Sequence, residues 1–143
     1  MAKFHQWTQK FFLLLIIGVF LISGCVTPIE EPSYQVPTIA GNIADSATAQ
    51  AVASQYLQAW QVEDYDQMYA MLTTLSQDAI DEDTLREVYQ DIASTLTLDS
   101  LDYRILSSLS EGDHAEVAYR IDFDTLLIGE LSRETLMNLT NDR

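Results

Sequence analysis

The chain has little of what nucleic-acid-binding, disulfide-rich or zinc-binding proteins need. Its 143 residues contain seven Lys plus Arg against 22 Asp plus Glu, a formal net charge of −15. The two lysines, Lys3 and Lys10, lie near the start, and no Lys follows them. Because so acidic a surface repels phosphate backbones, nucleic-acid binding is excluded. The single cysteine, Cys25, excludes a disulfide framework and a Cys-rich zinc site.

Residues 1–24 have the parts of a bacterial export signal. Lys3 and Lys10 form a positive segment without acids, and the apolar run FFLLLIIGVFLI follows at residues 11–22. This run is shorter than the roughly 20 residues that a membrane-spanning helix needs. It ends in ISGC at residues 22–25, which resembles the lipobox of bacterial lipoproteins.

The lipobox resemblance implies that Cys25 receives a diacylglyceryl group and that the chain is cleaved before it. Two or three acyl chains anchor a protein stably, so we expect it on the outer face of the cell membrane, within the bacterial cell envelope. The alternative is an uncleaved anchor in which Cys25 is only a small apolar residue. With either interpretation, the part of the chain after Cys25 is exported.

Residues 25–42 are predicted to be a tether between the anchor and a folded domain. All three prolines of the chain lie there, at Pro28, Pro32 and Pro37, together with Gly41 and no periodic pattern. Residues 43–143 then form one domain of roughly 100 residues, which is enough to bury a modest core.

The first half of this domain has the 3.6-residue period of helices. Asp45 or Ser46 can cap the first helix, and the acidic cluster at residues 78–83 suits the start of the third. The predicted buried stripes of the three helices consist of Ala49, Val52, Ala53, Tyr56, Leu57 and Trp60; of Tyr65, Met68, Tyr69 and Leu72; and of Leu85, Val88, Tyr89, Ile92 and Leu96.

The second half alternates between apolar and polar residues, as strands with one buried face do. The alternation is clearest at residues 115–123, is present at residues 101–105, and suggests a further strand near residues 134–139. A turn is predicted at residues 110–113 and a bend at residues 126–129. The pattern predicts an α+β fold in which three N-terminal helices pack on a curved antiparallel sheet.

Four segments carry a family resemblance through their order and spacing. They read YLQAW at residues 56–60, DYDQMYAML at 64–72, AYRIDFDT at 118–125 and LIGEL at 127–131. They resemble the N-terminal domain of MecA-type penicillin-binding proteins over about residues 47–139, although Glu63 stands where the family commonly has Gly. The resemblance implies the cone-shaped fold of nuclear transport factor 2. It also implies a non-catalytic spacer in peptidoglycan synthesis, associated with β-lactam resistance.

The same resemblance implies a further strand after residues 134–139, followed by a linker, a dimerisation domain and a transpeptidase domain. The sequence stops at Arg143, and Asn141 with Asp142 reads as the turn into that strand. We therefore expect the last strand to be missing, an open sheet edge, and a chain that is a fragment of a longer reading frame or a remnant of one. A natural stand-alone domain is the other interpretation.

Catalysis by this chain is not expected. Transpeptidases use the motifs Ser-x-x-Lys, Ser-x-Asn and Lys-Thr-Gly, and two of these cannot occur without a Lys after Cys25. No cofactor is implied. The acidic residues 78–83 lack the pattern of a calcium loop and are interpreted as a solvated helix start, so no metal site is expected.

Small enzymes with the cone fold hold an acid or base in the pocket of the cone. The candidates here are His114 and Asp122 as acid or base, with Tyr103 and Tyr119 as hydrogen-bond donors. The competing interpretation is that His114 and Asp122 are simply solvated. The alternative function for the whole chain is a free-standing lipoprotein whose cone binds a small ligand or a protein partner.

Overall fold

The computed structural model describes residues 37–141. The predicted signal peptide, Cys25 with most of the tether, and residues 142–143 lie outside the described residues. In chain order the elements are β1 (Ile39–Ala40), α1 (Ser46–Gln61), α2 (Tyr65–Ala70), α3 (Thr74–Ala79), α4 (Glu82–Leu96), β2 (Leu98–Glu111), β3 (His114–Thr125) and β4 (Gly129–Thr140). None of the helices between residues 37 and 141 is long and apolar enough to cross a membrane.

The strands form one curved, half-barrel sheet in the order β1-β4-β3-β2. Antiparallel pairing joins β2 to β3 and β3 to β4. β1 pairs in parallel with the end of β4, through Ile39 with Leu139 and Ala40 with Thr140. Within the described residues, the rest of that edge of β4 has no strand beside it. The sheet is therefore mixed, whereas the sequence predicted a purely antiparallel one, because β1 is too short to show an alternating pattern.

The helices cover one face of the sheet, which we call the inner face, and leave the outer face to solvent. On β3 the inner residues Val117 and Ile121 are buried, whereas the outer residues His114 and Glu116 are exposed. This is the alternation that the sequence predicted for residues 115–123. The α+β cone fold is confirmed, with four helices instead of three.

Helix α1 provides most of the contact between the helices and the sheet, mainly on β2 and β3. Asp45 caps it: its side chain accepts a hydrogen bond from the Thr48 N–H, and the Thr48 side chain accepts one from the Asp45 N–H. Its buried residues are Ala49, Ala53, Tyr56, Leu57 and Ala59. The predicted stripe differs only in that Val52 and Trp60 are half-buried and Ala59 is included.

Two elements were not expected from the sequence. Helix α3 has no buried residue, so it has no apolar stripe that could reveal it. Strand β1 lies in the segment assigned to the tether, yet Ile39 is buried in the core beside Ile43. The fold thus begins before residue 43, the predicted boundary. The predicted acidic start of the last helix lies where expected, with Asp81 as N-cap.

Candidate functional site

The two predicted hydrogen-bond donors lie on the inner face of the sheet. The Tyr103 hydroxyl donates to the backbone oxygen of Ser54 in α1 at 3.2 Å. Burial raises the pKa of Tyr119, and the Arg133 guanidinium partly opposes this shift. Tyr119 in β3 lies directly opposite Ile105 in β2, and Ile105 is two residues from Tyr103. Both phenols pack against the hydrophobic core.

The two predicted acid–base residues lie on the outer face instead. His114 is exposed where β3 begins, and Asp122 accepts a short hydrogen bond from the Ser132 hydroxyl. Since side chains alternate along a strand, even-numbered His114 and Asp122 cannot share a face with odd-numbered Tyr119. The sheet therefore separates the predicted acid–base residues from the predicted donors.

Aromatic side chains fill the space between the helices and the end of the sheet near the β3–β4 turn. Trp60 contacts Tyr89 edge-on with ring centroids 4.9 Å apart, and contacts Phe123 at 5.9 Å. Tyr65 stacks on Tyr89 at 6.2 Å, and the hydroxyls of Tyr56 and Tyr89 are 3.0 Å apart. Such contacts stabilise a packed core, which is the role that the sequence assigned to Trp60 and the tyrosines.

An open groove of about 570 Å³ lies where β1 and β4 pair, next to the β2–β3 turn. His114 is the one predicted candidate that borders it. The other lining residues are Thr38, Thr73, Leu75, Ala115, Glu116, Asn138, Leu139, Thr140 and Asn141. They come from four separate segments, so no sequence motif could have indicated the groove. The groove combines imidazole, carboxylate, amide and hydroxyl groups with the apolar side chains of Leu75, Ala115 and Leu139.

The acidic residues 78–83 form a helix start. The Asp81 side chain accepts a hydrogen bond from the Thr84 N–H at 2.7 Å, and Arg86 bridges Asp66 at 2.5 Å and Glu82 at 2.8 Å. Among the residues from 37 to 141, no three His, Cys, Asp or Glu side chains are grouped so that they could hold a metal ion.

Comparison with known families identifies the domain. Residues 48–143 match the MecA_N family, described as an NTF2-like N-terminal transpeptidase domain. The chain belongs to this family. A MecA_N domain is the non-catalytic, N-terminal part of a transpeptidase-type protein, so the domain formed here is not itself an enzyme domain. The family resemblance of the four sequence segments is confirmed.

Comparison with solved structures supports the same fold for this MecA_N domain. The solution structure of a SEC-C motif containing protein from Rhodopseudomonas palustris is similar to it, with a TM-score of 0.54 and 20% sequence identity. The alignment covers 68% of this chain and 70% of that protein. At this identity the likeness shows the fold alone. No curated protein matches the chain.

Proposed function

We propose that this MecA_N domain is a membrane-anchored spacer that positions a transpeptidase domain near nascent peptidoglycan. Family membership across residues 48–143 is the observation that carries the proposal. The inner face supports it, because Trp60, Tyr89 and Phe123 pack on one another between the helices and the sheet. A domain packed in this way is suited to holding two other parts of a protein apart. Through this positioning the domain contributes to cell-wall synthesis and to β-lactam resistance.

The anchor in this proposal is a lipid on Cys25. The apolar run at residues 11–22 and the ISGC sequence at residues 22–25 support it. Acyl chains on Cys25 would hold the start of the tether at the outer face of the cell membrane, and the 22 acidic residues would keep the domain away from an anionic lipid surface.

An experiment in cells tests the lipid on Cys25 and the link to a transpeptidase domain together. An antibody raised against the folded domain is used to isolate the protein from envelope membranes after labelling with a fluorescent penicillin and a radioactive fatty acid. We expect a labelled band well above 16.1 kDa that carries both labels, because the proposal places the spacer in a longer penicillin-binding chain. With Cys25→Ser the fatty-acid label should disappear and the penicillin label should remain.

The penicillin label should lie outside residues 25–143. Covalent reaction with a β-lactam needs an activated Ser, and in this class of protein a Lys accepts its proton. A penicillin adduct on a peptide of this chain would overturn the spacer assignment. So would a lipid-labelled band that is no larger than 16.1 kDa and carries no penicillin.

That last outcome would favour the second candidate function, a free-standing lipoprotein that binds a small ligand or a protein partner. The groove beside His114 is the observation in its favour. Its polar groups would serve recognition through hydrogen bonds to Glu116 and Asn138, without a catalytic step.

A further inference from the structure

The edge of strand β2 has no strand beside it in the described part of the chain, although β2 is 14 residues long. The Leu101 carbonyl oxygen accepts a hydrogen bond from the Gln61 side chain at 2.8 Å, so it points away from β3. Because backbone groups alternate along a strand, those of Tyr103 and Ile105 point to the same open side. Such an edge is a ready template for another strand.

Charges beside this edge are not balanced within the sheet. On the outer face, Asp102 lies directly opposite Asp122 of β3, and Arg104 lies directly opposite Arg120. Like charges in directly opposite positions are destabilising. Arg120 has its own partner, Glu134, at 2.8 Å, whereas no ion pair between residues 37 and 141 includes Arg104.

The helix that borders this edge carries no charge. None of the 16 residues of α1 is Asp, Glu, Lys or Arg, in a chain with 22 acids. Hydrogen bonds join this helix to β2 along its length. Gln50 donates to the Ser108 hydroxyl, which donates to the Ser46 carbonyl, and Tyr103 donates to the Ser54 carbonyl. Gln61 donates to the Leu101 carbonyl and to the Asp102 carboxylate. A second acidic molecule can approach here without meeting carboxylates from the helix.

We propose that this edge binds a second copy of the chain, with the two β2 strands antiparallel around a two-fold axis at Tyr103. In this register, Tyr103 lies opposite Tyr103 of the second copy, and Leu101 lies opposite its Ile105. Asp102 then lies opposite Arg104 of the second copy, and Arg104 opposite its Asp102. Two opposite-charge pairs form across the seam, beside the like-charge pairs within each sheet.

Self-complementarity is the reason for choosing a second copy as the occupant. In the five residues from Leu101 to Ile105, an acid matches a base and an apolar residue matches an apolar one when the strand is reversed about Tyr103. A two-fold interface requires such a self-complementary surface. Gln61 covers the Leu101 carbonyl in the single chain, and the oxygen has a second lone pair that can accept from the incoming strand.

Site-specific disulfides test the register. The full chain with Cys25→Ser, in a mild non-ionic detergent, is made in two forms of different tag length, one with Asp102→Cys and the other with Arg104→Cys. Directly opposite residues at a non-hydrogen-bonded pair have Cα atoms about 4.5 Å apart, within disulfide range. A residue and the same residue of the second copy, such as the two Asp102 residues, are offset by two positions in this register. They lie too far apart for a disulfide.

We expect mild oxidation of the mixture to give a mixed disulfide dimer in at least about tenfold higher yield than either form alone, in line with this geometric requirement. Equal yields from the mixture and the single forms would indicate random collision and would overturn the proposal. Absence of a link in the mixture would overturn it too.

Charge exchange tests the energetics by sedimentation in about 0.15 M salt. Asp102→Arg or Arg104→Asp alone places like charges across the seam, and each should weaken self-association at least about tenfold. The double variant restores opposite charges and should return to within about threefold of the original affinity. Single variants without effect, or a double variant that stays dissociated, would contradict the proposal. Circular dichroism should confirm that all forms fold, because both residues are exposed.

Discussion

At the scale of single residues, three helices begin at an aspartate that caps them. Asp45, Asp64 and Asp81 each accept a hydrogen bond from the backbone N–H three residues later, at 2.8, 3.0 and 2.7 Å. The hydrogen bond from the Thr84 N–H is the main reason why the pKa of Asp81 lies below 3.8, the ordinary value of an Asp carboxyl. The caps thus place a small part of the excess negative charge where the helix N-terminus stabilises it.

Replacement of the Asp81 cap should destabilise the domain in a pH-dependent way. The pKa of the carboxyl is lower in the folded state, so its contribution is present above about pH 3.8 and is lost as the pH falls through the folded value. Asp81→Ala should therefore lower the melting temperature at pH 7, and the difference from the original chain should shrink below about pH 3.8. Thermal unfolding followed by circular dichroism measures both.

Asp83→Ala is the matched control for this cap. Asp83 lies in the first turn of the same helix but is not the N-cap, so its loss removes charge without removing the cap. We expect a smaller change in melting temperature than for Asp81→Ala. An equal loss in the two variants, or an Asp81→Ala difference that does not change with pH, would contradict a capping role.

The faces of strand residues could be read from the sequence, but their surroundings could not. Alternation along β3 puts Asp122 on the face opposite Tyr119 and Phe123, in agreement with the strand register. The groove beside His114 could not be foreseen, because it depends on how Thr38 and Thr73 approach β4 in space. Whether any of the four candidates takes part in binding stays a prediction.

At the scale of elements, amphipathic pattern decided which helices and strands could be predicted. β3 and α1 bury one face each, so their periods were visible. α3 buries nothing, and β1 has two residues, so neither produces a pattern. The register shift of β2 between Ile105 and Ser107 also leaves no sequence signal, since a bulge inserts one residue without a characteristic composition.

The segment around β1 should be essential to the fold even though it resembles a linker. Gly41 lies so close to α1 that an added Cβ would stand 2.7 and 2.8 Å from the two methyl carbons of Val52. Gly41→Ala should therefore push β1 away from α1 and destabilise the domain by about 1–3 kcal/mol, the usual cost of overpacking. Chemical denaturation measures this loss.

A second substitution separates the clash from other effects of Gly41→Ala. Val52→Ala removes both methyl carbons that would meet the new Cβ. In that background Gly41→Ala should cost less than about 0.5 kcal/mol, so the two substitutions should be strongly non-additive. If Gly41→Ala costs the same in both backgrounds, β1 does not pack on α1 as described.

At the scale of the whole molecule, the excess of acids over bases weakens the folded state through self-repulsion. The chain has 22 acids against seven Lys plus Arg, and several face each other on the outer side of the sheet. Asp102 with Asp122 and Asp124 with Glu130 are directly opposite pairs. Added salt screens such interactions, so the free energy of unfolding should rise with ionic strength.

Two substitutions with the same effect on net charge separate overall repulsion from local pairing. Glu130→Lys places a cation opposite Asp124, whereas Glu116→Lys on the same face lies between the uncharged Leu109 and Asn138. At low salt both should stabilise the domain, because both reduce the net negative charge. Glu130→Lys should add about 0.2–1 kcal/mol from its cross-strand pair.

The salt dependence separates the two effects. As salt is raised, the stabilisation shared by the two variants should fade in denaturation curves. Glu130→Lys should keep part of its additional stability, because a directly opposite pair lies well within the screening distance. Equal stability of the two variants at all salt concentrations would show that strand register has no part in the effect of these charges.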